Sequence, residues 1–383
     1  HRNIFYLSGV DQEESILLVF PDAKNELHRE ILFVKETNDL ISIWEGSKLS
    51  KRQATISSGI KTVYWLEEFE SIFSQLMEES THFYYNNNEH YRQAVVMETR
   101  EDRFLKMIKS SYPDHKLLPN FPIMESLRGV KEVEEIKLIK TACDITEKGF
   151  RRILGFVKPG VMEYEIEAEY AHEFLRNRSK GFAYTPIIGS GYNACVLHYI
   201  ENNQECKDGD LLLMDVAAEY ANYSSDMTRT IPVNGRFTAR QKAVYQAVLN
   251  VKNEATKLLA PGIMWDAYHV EVGKLMTSEL LTLGLIDKAD VQNEDPKWPA
   301  YKKYFMHGTS HHMGLDTHDF GTLKSPMQSN MVFTVEPGIY IPEENMGIRL
   351  EDDVVIQPSG YPVNLMQNIP IEIDEIESLM KSN

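Results

Sequence analysis

HGTSHHMGLDTHD, residues 307–319, is the stretch whose reading decides the fold, and it holds four of the chain's twelve histidines. Packing does not readily explain that density. The plainer account is one ligand among neighbours that are exposed or bonded to backbone. Spacing by itself does not choose among His307, His311, His312 and His318.

Carboxylates surround this stretch in sequence, in segments that read as strands or tight turns. In DLLLMDVAAEY (210–220) an apolar run is interrupted by Asp215. An aspartate there is disfavoured by propensity and costly to bury unless it is paired or bound to a metal. Asp226 follows in YSSDMTRTIPV (223–233), and the intervening AEYANYSS reads as a hairpin connection laying two strands side by side. Alone, Asp226 could be a turn aspartate bonding its own backbone; paired with Asp215 on facing strands it favours metal. In VFTVEPGIYIP (332–342), Glu336 ends a strand before Pro337-Gly338. In GIRLEDDVVI (347–356), strand alternation puts Arg349, Glu351 and Asp353 on one face, and composition does not separate Glu351 from Asp353. Four carboxylates and one imidazole form a ligand set for a pair of divalent ions. Two such ions can polarise a carbonyl and carry a hydroxide at neutral pH, which points to hydrolysis.

The five segments resemble the di-metal peptidases of the pita-bread fold, and HGTSHHMGLDTHD with DMTRT, TVEPGIY and GIRLEDD resembles aminopeptidase P. The resemblance extends to FYLSGV (5–10) and LRGVKEVEEIKLIK (127–140). It implies an α+β chain, with a C-terminal pita-bread (creatinase/aminopeptidase) catalytic domain over 123–383. A smaller N-terminal α/β creatinase-like domain over 1–122 would lack its first residues. It implies metal ligands Asp215, Asp226, His311, Glu336 and Glu351, with Asp226 and Glu351 bridging two ions. Mn²⁺ is the expected ion, with Co²⁺ or Zn²⁺ as alternatives. Catalytic roles fall to His198, His307, His318 and Glu336. His198 and His318 would steady the carbonyl oxygen, Glu336 would carry the proton, and His307 would serve behind the ligands or at the substrate. His312 is left a variable neighbour. Tyr340 and Arg349 would shape the substrate pocket. The implied reaction removes the residue preceding a proline at position two of a peptide, and the implied assembly is a homodimer or higher homo-oligomer. The nearest rival is prolidase, which takes Xaa-Pro dipeptides and would need a group such as Arg349 for the free carboxylate. A non-catalytic binding module or a metal-free creatinase-like hydrolase of the same fold predicts broken ligands, and here all five are present.

Composition narrows the classes further. A chain of 383 residues favours two domains. A net charge of −17 argues against nucleic acid, whose phosphates need a basic surface. No apolar run approaches the roughly 18–20 residues that span a bilayer. Three scattered cysteines, Cys143, Cys195 and Cys206, suit a reducing, cytoplasmic setting and offer no thiolate metal site.

Apolar runs at 15–20, 30–34, 62–66 and 81–85 read as strands and 100–110 as a helix, an α/β layer whose His28, His82, His90 and His115 read as surface or packing residues. LLPNFPIMESLRGVK (117–131) reads as the linker. Val133, Ile136, Ile139 and Cys143 recur at helical spacing, predicting a helix to about Phe156 that stops before Pro159-Gly160. Pro159-Gly160-Val161-Met162 and Pro261-Gly262-Ile263-Met264 form a weak repeat, each preceding a helix, and Thr238 with Gln241 reads as a capping box.

Overall fold

The computed structural model describes residues 2–46, 48–86 and 97–381, so His90 lies outside the described residues. The chain divides into two compact units, His1–Met124 and Glu125–Asn383.

The first unit is an α/β layer. Strand Glu30–Val34 lies between Ile16–Val19, which it pairs antiparallel, and Thr62–Trp65, which it pairs parallel. Its side chains alternate between two cores. Ile31 and Phe33 pack with Leu76 on one face, and Leu32 and Val34 pack with Val10, Ala54 and Ile60 on the other. A strand covered on both faces reads as an unbroken apolar run, which EILFV is. A second parallel pair joins His82–Tyr85 to Lys116–Pro119. The latter strand occupies the start of the segment read as a linker, because its apolar Leu117 and Leu118 pair beside Phe83 and Tyr84.

The second unit holds two helix pairs, each followed by strands. Helix Val133–Phe156 packs on Glu163–Arg176, and Ala239–Leu258 packs on Trp265–Thr282. Both pairs turn at the Pro-Gly repeat, where Gly160 and Gly262 take φ of 91° and 90°, a conformation that strains any other residue. The Thr238–Gln241 capping box forms as its spacing indicates. After the first pair comes a sheet ordered Thr228–Pro232, Leu211–Asp215, Ile187–Ser190; after the second comes one ordered Val332–Val335, Asp352–Val355, Val363–Asn364. The hairpin Gly338–Ile341 with Met346–Arg349 accompanies the second sheet in sequence.

Two sequence expectations need adjustment. Asp226 is not on a strand but in the bend before Thr228–Pro232, and a small hairpin, Glu219–Tyr220 with Tyr223–Ser224, fills the connection. Glu351 lies at a break between strands Met346–Arg349 and Asp352–Val355, so simple alternation does not run through it. Both departures have one cause: a carboxylate must leave the ladder to turn into a shared pocket.

Candidate metal centre

Strand ends and bends of the second unit deliver the carboxylates to one place. Thr228 pairs with Asp215 in the register of the first sheet, which brings the bend holding Asp226 beside the end of the Asp215 strand. The Glu351 backbone N–H donates to the Thr228 carbonyl at 3.0 Å, tying the Glu351 break to the same edge. The Glu336 N–H donates to the Thr309 carbonyl at 2.8 Å and the Thr334 N–H to the His311 carbonyl at 3.1 Å, which seats the histidine segment against the Glu336 strand.

Asp226, His311 and Glu351 each offer a ligand atom, and these atoms lie within 4.8 Å of one another. His311 Nε2 is 3.4 Å from Asp226 Oδ2 and 3.7 Å from Glu336 Oε1. Its Nδ1 donates to the His312 carbonyl at 3.0 Å, which fixes the tautomer and turns Nε2 toward the carboxylates. Asp215 joins through Arg349, whose Nη2 donates to Asp215 Oδ2 at 2.6 Å.

The electrostatics of the cluster call for added cations. Burial raises the Asp215 carboxyl against the pull of Arg349, with Asp226 adding to the rise. Burial lifts Glu336 to about 7 despite His311 and Arg349. Glu351 is driven well above the usual carboxylate range by burial and by Asp226, Glu336 and Asp215. Burial works to lower the His311 imidazole, yet the hydrogen bond to Asp226, the charges of Glu336 and Asp226 and the bond to the His312 carbonyl together outweigh it and raise the value. Convergent carboxylates that resist ionisation, and a histidine drawn toward a positive charge at Nε2, are the donor set a hard or borderline divalent ion neutralises. The residues fit such ions.

A hydrogen-bonded shell lies behind the ligand atoms. Tyr184 Oη donates to Asp215 Oδ1 at 2.6 Å, and Thr228 Oγ1 donates to Glu351 Oε2 at 2.7 Å. Asp353 accepts from the Asp226 N–H at 3.0 Å and from the Cys143 thiol at 3.4 Å. Asp352 turns away to Arg229 and Lys252, which hold its carboxyl low against burial. Geometry thus separates Glu351 from both acidic neighbours, which composition does not.

His307 and His318 lie against the ligand candidates, with His307 Nδ1 3.6 Å from Glu336 Oε2. His318 is exposed, and its ring stands edge-on to that of His311, with centroids 4.3 Å apart at 88°. His307 Nδ1 donates to the Gly308 carbonyl at 2.8 Å, and its Nε2 meets Tyr340 Oη at 2.8 Å. Burial, with Arg349 and then His198 adding to it, lowers His307 to about 3, so the ring is neutral and His198 lies within electrostatic reach. Tyr340 Oη in turn accepts from Arg349 Nη1 at 2.9 Å. Arg349 is buried, and Nε, Nη1 and Nη2 donate to Thr228, Tyr340 and Asp215 respectively. Its guanidinium is thus engaged in orienting Asp215 and Tyr340.

His312, next to the ligand candidate, lies 3% exposed against Phe333, ring centroids 4.4 Å apart, and parallel to Trp265. It belongs to packing. Sequence reasoning missed Tyr184, Thr228 and the backing role of Asp353. Thr228 sits two residues from Asp226 in DMTRT and could have been suspected; Tyr184 carries no local signal.

The chain is similar to known proteins. The sequence profile of metallopeptidase family M24 matches residues 137–358, and that of the aminopeptidase P N-terminal domain matches residues 1–84. Xaa-Pro aminopeptidase of Haemophilus influenzae is 33% identical over 98% of this chain and 87% of its own length. Human Xaa-Pro aminopeptidase 3 is 30% identical over 99% of this chain and 76% of its own. Among solved structures, a zinc-substituted Escherichia coli aminopeptidase P in complex with product superposes with a TM-score of 0.87 at 31% identity. That match covers 100% of this chain and 89% of the other, as does one to Pseudomonas aeruginosa aminopeptidase PepP, with a TM-score of 0.88 at 30% identity. The mixed helix-and-sheet architecture is that of aminopeptidase P, with a pita-bread second unit.

Proposed function

This chain belongs to metallopeptidase family M24, and from that premise we infer that it is an Xaa-Pro aminopeptidase. It hydrolyses the bond between an N-terminal residue and the proline that follows. The observation that carries the reading is the convergence of Asp226, His311 and Glu351 in a chain that aligns over nearly its whole length with Xaa-Pro aminopeptidases.

We assign Asp215, Asp226, His311, Glu336 and Glu351 as the residues that would hold two divalent ions, with Asp226 and Glu351 contributing to both. Mn²⁺ is the ion we favour, since the site is rich in oxygen and lacks thiolate. Bound there, the ions supply Lewis acidity at the scissile carbonyl and a water acidic enough to attack near neutral pH. Glu336 takes a proton from the attacking water and passes it to the proline nitrogen. His318 and His198, both exposed, donate to the carbonyl oxygen as negative charge develops there. Arg349 and Tyr340 keep Asp215 and His307 oriented, through the bonds already described. Proline's nitrogen carries no N–H in a peptide, so recognition rests on shape and on the neighbouring carbonyl rather than on that donor.

We also place the protein in the cytoplasm as a homo-oligomer. The three described cysteines are free, and no helix among the described residues is long and apolar enough to cross a membrane. Cell fractionation and light scattering test those two points.

The deciding experiment assays Mn²⁺-reconstituted protein on Arg-Pro-Pro, Gly-Pro and Met-Ala-Ser. Free arginine and Pro-Pro are expected from the first peptide alone. Cleavage confined to Gly-Pro would make the protein a prolidase, and methionine release without cleavage before proline would make it a methionine aminopeptidase.

A further inference from the structure

The segment LRGVK (127–131), outside every role assigned so far, places two cations where cations are rarely found. Arg128 is 1% exposed and Lys131 equally buried. Both reach the loop that carries His318. Arg128 Nη2 donates to Asp316 Oδ2 at 2.6 Å and also to Asp319 Oδ1. Lys131 Nζ donates to Asp319 Oδ2 at 3.0 Å and to the Arg128 carbonyl at 2.6 Å. A single guanidinium nitrogen thus ties together both ends of the turn Asp316-Thr317-His318-Asp319, and a second cation pins the far end.

The rest of the loop is built around that clamp. The Asp319 N–H donates to the His312 carbonyl at 2.9 Å and closes the loop neck. Asp319 Oδ1 accepts from the Phe320 N–H at 2.8 Å, and the Phe320 ring lies 4.2 Å from the Arg128 guanidinium carbon. A Cβ on Gly314 would run into Asp319 Oδ2 and the end of Lys131, so the packing leaves the carboxylate one position. Desolvation opposes the Asp319 charge, yet Lys131 and Arg128 keep its carboxyl below the ordinary range, so the clamp is ionised at working pH.

Burying an arginine, a lysine and an aspartate is expensive, and apolar residues of similar volume would fill such a space at least as stably. What an ion cluster supplies is a fixed geometry. Here the fixed atoms flank the peptide of His318, and the rigid trans peptide transmits the position of residue 319 to the residue before it.

We propose that Arg128 and Lys131 are positioning residues for the reaction, clamping Asp319 and Asp316 so that His318 is presented to the substrate carbonyl. The inference rests on the carbonyl-stabilising role given to His318 under Proposed function. Arg128 and Lys131 act through the loop.

The test compares Lys131→Met, Arg128→Lys, His318→Ala and the double variant Lys131→Met/His318→Ala, each reconstituted with Mn²⁺ and assayed on Arg-Pro-Pro. Misplacement of a catalytic group by about 1 Å can lower turnover by about 100-fold, so Lys131→Met should lose about 10- to 100-fold in kcat. Its metal content should equal that of the unaltered protein, and KM should move by less than about threefold, since the loss lies in the transition state. Arg128→Lys keeps the charge but has a shorter reach and lacks the planar guanidinium fork, and an intermediate loss is expected. In the His318→Ala background, Lys131→Met should cost less than about twofold further, because the group it positions is gone. A folded Lys131→Met with unaltered kcat, or one whose loss is undiminished in the His318→Ala background, overturns the clamp. If Lys131→Met fails to fold, Arg128→Lys carries the same comparison in both backgrounds, with the same outcomes deciding. Unaltered turnover in His318→Ala would instead sink the role given to His318, and the clamp with it. Loss in His318→Ala without loss in the clamp variants sinks the clamp alone.

Discussion

Replacing His312 and His311 in turn gives a sharp test, because adjacent histidines should fail in different ways. His312 sits among Phe333, Trp265 and Gly321, where even a Cβ on Gly321 would collide with its ring. Its ring nitrogens make no well-formed hydrogen bond, the Thr322 backbone offers only weak compensation, and burial lowers its pKa to about 3. It is a neutral packing residue that carries a polar penalty. Truncating a large core side chain costs about 2–5 kcal/mol. Removing a buried polar group without partners returns about 1–3 kcal/mol of that cost. The net expectation for His312→Ala is a loss of about 1–3 kcal/mol, near the lower end of large-to-small changes. For a unit of this size each kcal/mol moves Tm by about 2–4 °C, so the midpoint should fall by about 2–12 °C. His312→Leu keeps much of the volume and removes the nitrogens, so its midpoint should stay level or rise, within about 1.5 kcal/mol. Thermal unfolding should be followed on metal-free protein, so that ion binding to the folded state does not mask the difference. Elemental analysis after Mn²⁺ reconstitution should find normal metal in both His312 variants and depleted metal in His311→Ala. If His312→Ala sheds metal as His311→Ala does, the ligand has been placed one residue off and the packing account of His312 is wrong.

Three further outcomes are expected. Asp226→Ala or Glu351→Ala should abolish activity and deplete both ions, because each is assigned to both; near-normal turnover would remove that residue from the centre. Tyr184→Phe deletes only the donor to Asp215 Oδ1 and should weaken metal affinity by about 10-fold, the lower end for a group behind a ligand, as measured by competition with a chelator. Asp319 has its carboxyl below the ordinary 3.8 in the folded chain, so it adds stability at pH above that value and loses it as pH falls through the folded one. The unfolding free-energy gap between the native protein and Asp319→Asn should therefore be widest near neutral pH and shrink in acid; a gap that grows on acidification would contradict the ion cluster.

Local chemistry reaches far in this chain. EILFV is apolar at every position and is a strand covered on both faces; the Thr238 capping box and the two Pro-Gly turns are set by contacts within a few residues, so their spacing suffices to reveal them. Asp215 in an apolar strand and Glu336 before Pro-Gly advertise themselves because a carboxylate there is costly without a cation. Other assignments depend on atoms distant in sequence. His311 and His312 are indistinguishable as neighbours, and only the His312 carbonyl on Nδ1, the carboxylates facing Nε2 and the aromatic walls around His312 separate ligand from packing. Glu351, Asp352 and Asp353 are consecutive acids whose fates part because Arg229 and Lys252 take one, the Asp226 N–H takes another, and the pocket takes the first. Nothing local to Arg349 shows that Thr228, Tyr340 and Asp215 accept from its guanidinium. Tyr184 finds its partner across 31 residues of chain, Arg128 its two across 188 and 191, and Lys131 its carboxylate across 188, and no local pattern encodes an interaction whose second half is supplied by the fold.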